Sequence, residues 1–311
     1  MTSDDAGNGR SRNAMPVARG TRRCQHPAVP TPVDRDPPIT RRDAIRTLGA
    51  LAAAAALPAR AHHRPRAIGI QLYTVRALMP AAPERTLEAL AAIGYREVEL
   101  AGLYGSSAKQ MRARLDRAGL RAVSAHHSIE ELRDGWPKVA GDARALGVEY
   151  VVCPWVNVGD RTLDGFHRLA RDFNAVGARA RDAGLTFAYH DGDYAHAPSA
   201  DGNVPYDILL TECDPALVEF EIDLYWMITG GADPLAYFAR WPGRFPMLHV
   251  KDRARDGAMT DAGAGTIDFR TILARGDAAG VQHWFVEHDE AKDPLASARA
   301  SYAYLSALAI P

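Results

Sequence analysis

From Ala67 to Leu308 the chain alternates short runs rich in Val, Ile, Phe and Tyr with longer amphipathic stretches, eight of each, with none left over. Such alternation calls for parallel strands, because each strand must return through a helix before the next can start. The predicted strands are 67–75, 97–100, 121–125, 150–154, 186–190, 218–223, 245–250 and 283–287. The predicted helices are 84–93, 107–118, 130–146, 163–183, 205–213, 234–241, 269–279 and 294–308. Gly94, Gly119, Gly147 and Gly184 close the first four helices, where a left-handed residue is wanted. An open doubly wound sheet is the alternative. Its first turn would be glycine-rich, whereas Val75 is followed here by Arg76-Ala77-Leu78-Met79-Pro80, so a dinucleotide fingerprint is absent. The pattern therefore predicts an α/β fold, a single (β/α)8 TIM barrel.

The first sixty or so residues do not read as part of that domain. Residues 1–39 are rich in Arg, Pro, Gly and Ser without apolar periodicity, which predicts disorder. Residues 40–61 run from Thr40-Arg41-Arg42-Asp43 through the small apolar stretch Leu48–Leu57 to Ala59-Arg60-Ala61. That is the order of a signal peptide, and the paired arginines predict twin-arginine export to the periplasm or beyond, with cleavage after Ala61. The apolar stretch is too short to span a bilayer, so no stable membrane insertion is expected. Residues 62–311 would then form the catalytic barrel.

Without residues 1–61 the chain keeps 27 basic and 33 acidic residues, a net charge of −6. A phosphate-backbone binder needs a basic face, so no nucleic-acid partner is expected. Cys24 departs with the leader, and Cys153 and Cys213 are too few for a disulfide framework; both read as small core residues. Homo-oligomerisation is left open.

Strands five to eight each end on a metal-ligand type: FAYH at His190, EFEID at Asp223, FPMLH at His249 and WFVE at Glu287, spaced by 33, 26 and 38 residues. In a barrel of parallel strands these ends converge on one mouth. Two imidazoles and two carboxylates there suit one divalent ion (Mn, Zn, Fe, Co or Mg) with positions open to substrate. Singly, a strand-end His is more often a hydrogen-bonded structural residue, and an Asp after a strand more often caps the next helix. The coincidence of four argues for a metal.

The segments GIQLYTVR (69–76), GYREVELAGLYG (94–105), EIDLYW (221–226), FPMLHVKD (245–252), GAGTIDF (263–269) and FVEHD (285–289) together resemble the xylose isomerase-like sugar isomerase/epimerase superfamily. More narrowly, they resemble its exported members often labelled sugar phosphate isomerase/epimerase. The resemblance implies a TIM barrel with one divalent metal at the C-terminal ends of strands five to eight. It also implies a carbohydrate or cyclitol substrate and proton abstraction next to a carbonyl. Asp223, His249 and Glu287 fall on the family's metal positions. The fifth-strand ligand, Glu in the better-understood epimerases, is His190 here. Close relatives read Tyr-His-Asn-His-x-Phe-Glu at this point; this chain reads Tyr189-His190-Asp191-Gly192-Asp193-Tyr194-Ala195 and lacks the second His and the Glu.

A metal-dependent sugar isomerase or epimerase is thus the leading expectation. A lyase acting by β-elimination on a keto-sugar or inosose is the alternative, and a carbohydrate-binding barrel without turnover is the non-enzymatic one. With His at 190 a symmetric two-glutamate pair is broken, which favours one-base chemistry. Glu287, His249 when not metal-bound, or a nearby histidine such as His127 are the candidate bases, and Lys251 is the candidate charge-neutralising or proton-donating group; a solvated lysine paired with Asp252 is its structural alternative. Candidate substrate contacts are Gln71, Tyr73, Glu99, His127, Trp155, Asp193 and Trp226. Period-two alternation allows only one of His126 and His127 to face the barrel interior.

Overall fold

The computed structural model describes residues 67–310; the expected disordered leader (1–39) and signal peptide (40–61) lie outside the described residues. Eight strands form a closed barrel: β1 (Gly69–Gln71), β2 (Glu97–Leu100), β3 (Arg121–His126), β4 (Tyr150–Cys153), β5 (Thr186–His190), β6 (Val218–Asp223), β7 (Met247–Val250) and β8 (His283–Val286). Their order around the barrel is β1-β8-β7-β6-β5-β4-β3-β2, and all neighbours run parallel. The TIM barrel expected from the alternation is the observed fold.

The alternation also sorts the side chains. Odd and even positions of each strand separate an outer layer from an inner one. Val98, Leu100, Val151, Cys153, Phe187, Tyr189, Phe220, Ile222, Leu248 and Val250 join the main core between sheet and helices. Val123, Tyr150, Val152, Ala188, Met247 and Phe285 form a separate plug inside the barrel. Each Val, Leu, Ile, Phe or Met side chain among them contributes about 1.5–3 kcal/mol when removed from water. Cys153 and Cys213 are both free and buried, and burial pushes each thiol up to about 12, so both are inert core residues.

Several elements are shorter than the sequence pattern suggests, for local reasons. The first strand stops at Gln71 because its side chain accepts the Tyr73 N–H and starts a 3-10 turn, Leu72–Val75. The helix predicted over 130–146 is two, Ile129–Asp134 and Trp136–Leu146, which share Gly135 as C-cap and N-cap. Pro137, the second residue of the second helix, lacks the N–H that a continuous helix would need. The helix predicted over 269–279 likewise divides into Phe269–Leu273 and Gly276–Ala279.

After β7 the chain makes a long excursion organised by one carboxylate. Asp252, buried, accepts backbone N–H bonds from Arg253, Gly263, Gly265 and Ile267 at 2.7–3.1 Å. Asp252 is thus a loop organiser rather than a partner for Lys251. A Cβ at Gly265 would overlap the Asp252 carboxylate, so only glycine fits there.

Candidate active site

The mouth of the barrel gathers the four predicted strand-end ligands. One ligand atom from each of His190, Asp223, His249 and Glu287 lies within 4.8 Å of all the others, and all four residues are buried. His249 Nδ1 is 3.1 Å from His190 Nε2, 2.9 Å from Glu287 Oε2 and 3.7 Å from Asp223 Oδ2. His190 Nε2 is 3.5 Å from Asp223 Oδ2. Ligands about 2.1 Å from an ion stand about 3.0–3.4 Å apart at octahedral or tetrahedral angles, and these separations scatter around that range.

Hydrogen bonds behind the ligands set which atoms face the centre. The Pro154 carbonyl is 2.9 Å from His190 Nδ1 and can only accept, so Nδ1 carries the proton and Nε2 presents a lone pair. Glu99 Oε2 is 2.6 Å from His249 Nε2, so that N–H donates to the carboxylate and Nδ1 turns inward. A carbonyl or carboxylate behind a ligating histidine is the usual outer support of a metal site. Asp223 divides its work. Its Oδ1 accepts the Tyr225 and Trp226 N–H groups at 2.9 and 3.0 Å, capping the helix Leu224–Thr229. Its Oδ2 is buried without a hydrogen bond of good geometry and faces the histidines. Asp191, which the sequence reading had not singled out as a site residue, accepts the Asp223 backbone N–H at 2.7 Å and pairs with the buried His196. The donor set and its tautomers fit a divalent ion, with Asp223 Oδ2 turned toward the two histidines and Lys251.

Lys251 lies beside this centre, only 1% exposed. Its Nζ is 2.8 Å from Asp223 Oδ2, 2.6 Å from Glu287 Oε2 and 3.1 Å from Asp289 Oδ1, and lies 5.5 Å from the Trp226 ring centroid. The solvated alternative for this lysine is therefore set aside. Burial alone would raise the Asp223 and Glu287 carboxyls. The Lys251 ammonium and the flanking histidines outweigh it, holding Asp223 well below its usual range and Glu287 down at about 2. Burial and the neighbouring Glu287 charge lift Asp289 to about 6. Burial would lower His249, yet Glu221 and Glu287 raise it well above the ordinary imidazole range. The site demands positive charge at His249, and an ion bound there would displace its proton.

A second group lies against the first. Gln71 Nε2 donates to Glu99 Oε2 at 2.7 Å, and His126 Nε2 is 3.0 Å from the same oxygen and 3.4 Å from Glu221 Oε2. Burial would lower His126, but Glu99 and Glu221 raise it to about 9.

The other sequence candidates are placed as follows. Tyr73, 40% exposed, lies under the Arg76 guanidinium, and Trp155, 50% exposed, stands on the loop after β4. Asp193 is exposed and begins the helix Asp193–His196. His127 is not brought into the cluster; its Nδ1 is 3.8 Å from Glu131 on the following helix. His126 is the histidine of this pair that turns inward. Glu221, Asp191 and Asp289 were missed. Strand parity would have found Glu221, which stands two residues before Asp223 and so shares its face.

Residues 87–308 match the family described as xylose isomerase-like TIM barrel. The chain belongs to that family. Within it, the inosose dehydratase of Lacticaseibacillus casei is 25% identical over 267 residues, which cover 72% of this chain and 89% of that protein. Among solved structures, a sugar phosphate isomerase/epimerase from Parabacteroides distasonis ATCC 8503 superposes with a TM-score of 0.68 at 25% identity, covering 77% of this chain and 93% of its own. The 3-keto-D-glucoside 4-epimerase of E. coli shares the fold, with a TM-score of 0.59 at 17% identity over 77% of this chain and 98% of its own. The proteins that this chain resembles in sequence therefore include a dehydratase and an isomerase/epimerase, and the keto-glucoside epimerase shares its fold.

Proposed function

We propose that this protein is a metal-dependent enzyme acting on a polyhydroxylated ketone: a keto-sugar, keto-glycoside or inosose. It removes the proton next to the carbonyl, and water or an alcohol then leaves the adjacent carbon. The observation that carries the reading is the convergence of His190, Asp223, His249 and Glu287, lone pairs inward, beside a buried lysine. A divalent ion held by these four would polarise the substrate carbonyl and acidify the neighbouring C–H. Glu287, held strongly ionised between Lys251 and His249, suits a ligand better than a base. Asp289 is the carboxylate suited to take the proton: its side chain is 21% exposed and contacts Lys251 at 3.1 Å. As the C–H bond breaks, its electron pair becomes the new C=C and the C–O bond breaks; Lys251 protonates the departing oxygen. Asp289 then returns the proton to Lys251 across their contact, restoring both groups.

Elimination is supported by the likeness to an inosose dehydratase across 89% of that protein's length. Isomerisation is the second reading, supported by the likeness to the Parabacteroides isomerase/epimerase; there the proton would return to carbon. Incubation of the metal-loaded protein with an inosose and a 3-keto-glucoside in deuterated water separates them. Loss of water or aglycone supports elimination, and deuterated isomers support isomerisation. If neither forms on any ketone tried, the proposal falls to the binding-barrel alternative. As a further proposal, the activity lies in the periplasm or outside the cell, a reading supported by the paired arginines, apolar stretch and Ala59-Arg60-Ala61 of the N-terminal sequence.

A further inference from the structure

We infer that the barrel holds a second divalent ion beneath the first, ligated by Glu99, His126 and Glu221. These come from β2, β3 and β6, whose inward positions meet across the barrel rather than along its rim. His126 Nε2 stands 3.0 Å from Glu99 Oε2 and 3.4 Å from Glu221 Oε2. Those are the ligand–ligand edges of about 3.0 and 3.4 Å expected around an ion with bonds of about 2.1 Å. A second observation points the same way. Glu99 and Glu221 are both 0% exposed, and each has one oxygen, Oε1, that accepts no hydrogen bond. Leaving a buried carboxylate oxygen without a donor is unfavourable; His249 Nε2 stands 3.4 Å from Glu221 Oε1 but gives its proton to Glu99, and a cation chelated by both oxygens of each glutamate removes that penalty.

His249 separates the two centres without being shared as a ligand. Its Nε2 lies 2.6 Å from Glu99 Oε2, a charge-assisted hydrogen-bond length rather than a ligand edge, so it keeps its proton. Glu99 thereby ligates the lower ion and orients the upper ligand. One imidazole and two carboxylates suit Zn, Mn or Fe. His126 sits at the mouth end of β3 and its side chain keeps 11% exposure, which leaves a way in for the ion. The competing arrangement is a proton on His126 that neutralises the same glutamates.

Metal content of the full chain, measured by mass spectrometry after loading with Mn or Zn and desalting, decides between them. Two ions per chain are expected in the wild type, falling to one in Glu221→Gln. One ion in the wild type, or two that persist in Glu221→Gln, would overturn the inference while leaving the mouth centre standing; no ion at all would overturn both. Should Glu221→Gln not fold, crystals of the wild type loaded with Mn answer the same question. A second anomalous peak among Glu99, His126 and Glu221 is expected, and a lone peak at the mouth would refute it.

Discussion

At the scale of single residues, the site depends on atoms being given separate tasks. Asp223 caps a helix with one oxygen and offers the other to the centre, so the cap and the ligand readings of this residue are both realised. Lys251 is the positive charge that allows Asp223, Glu287 and Asp289 to crowd together. Replacing it, Lys251→Met, should lower turnover by roughly 10²–10⁴-fold, the usual range for a lost proton-transfer group. Breaking a buried charge group costs about 3–5 kcal/mol, so the metal-free variant should also melt earlier, and added Mn should restore much of the loss. Full turnover in this variant, with metal still bound, would exclude Lys251 from the chemistry. The strand-end ligands were legible because each occupies the last position of an apolar run. Glu221 was hidden among the polar residues of EFEID until parity was applied to it. The choice of His126 over His127 was undecidable from sequence because the register between β2 and β3 shifts at Val98/Glu99.

Elements position these atoms, and two of them carry their own tests. The excursion after β7 reaches the mouth: the Tyr225 hydroxyl donates to the Gly257 carbonyl and the Asp289 N–H to the Met259 sulfur. Because Asp252 organises that excursion, Gly265→Ala should lower stability by about 1–3 kcal/mol and weaken substrate binding, as read by chemical denaturation and KM. An unchanged denaturation midpoint would show that the loop tolerates the Cβ. At the barrel floor, burial favours the protonated Glu97 carboxyl. The hydrogen bonds and charges of His283 and Arg121 outweigh it and hold the group below its ordinary value of 4.5. A lowered carboxyl stabilises the fold above the unfolded-state value and loses that contribution as pH falls. Glu97→Gln should therefore be less stable than wild type at pH 7, with the gap closing below about pH 4.5. A gap that widened on acidification would contradict the assignment. Helix–strand alternation was readable throughout. The break at Gly135 carried a sequence signal in Pro137 that the pattern of apolar residues overrode, and the break within 269–279 was not readable from periodicity.

For the whole molecule, eight strands alternating with helices are legible in the sequence, and the pairing of β1 with both β2 and β8 closes them into a barrel. What periodicity cannot supply is contact across the barrel. Glu99 and His249 are 150 residues apart in the chain and 2.6 Å apart in space, and no local pattern announces that pair. The N-terminal reading also applies at this scale. N-terminal sequencing of exported protein should begin at His62, and an intact Met1 or Met15 start in that fraction would refute export by cleavage after Ala61. The metal centre is tested most directly by an anomalous difference map from crystals loaded with Mn or Zn. The account predicts a peak about 2.0–2.3 Å from His190 Nε2, His249 Nδ1 and carboxylate oxygens of Asp223 and Glu287. A loaded crystal with no density among those four side chains would contradict it.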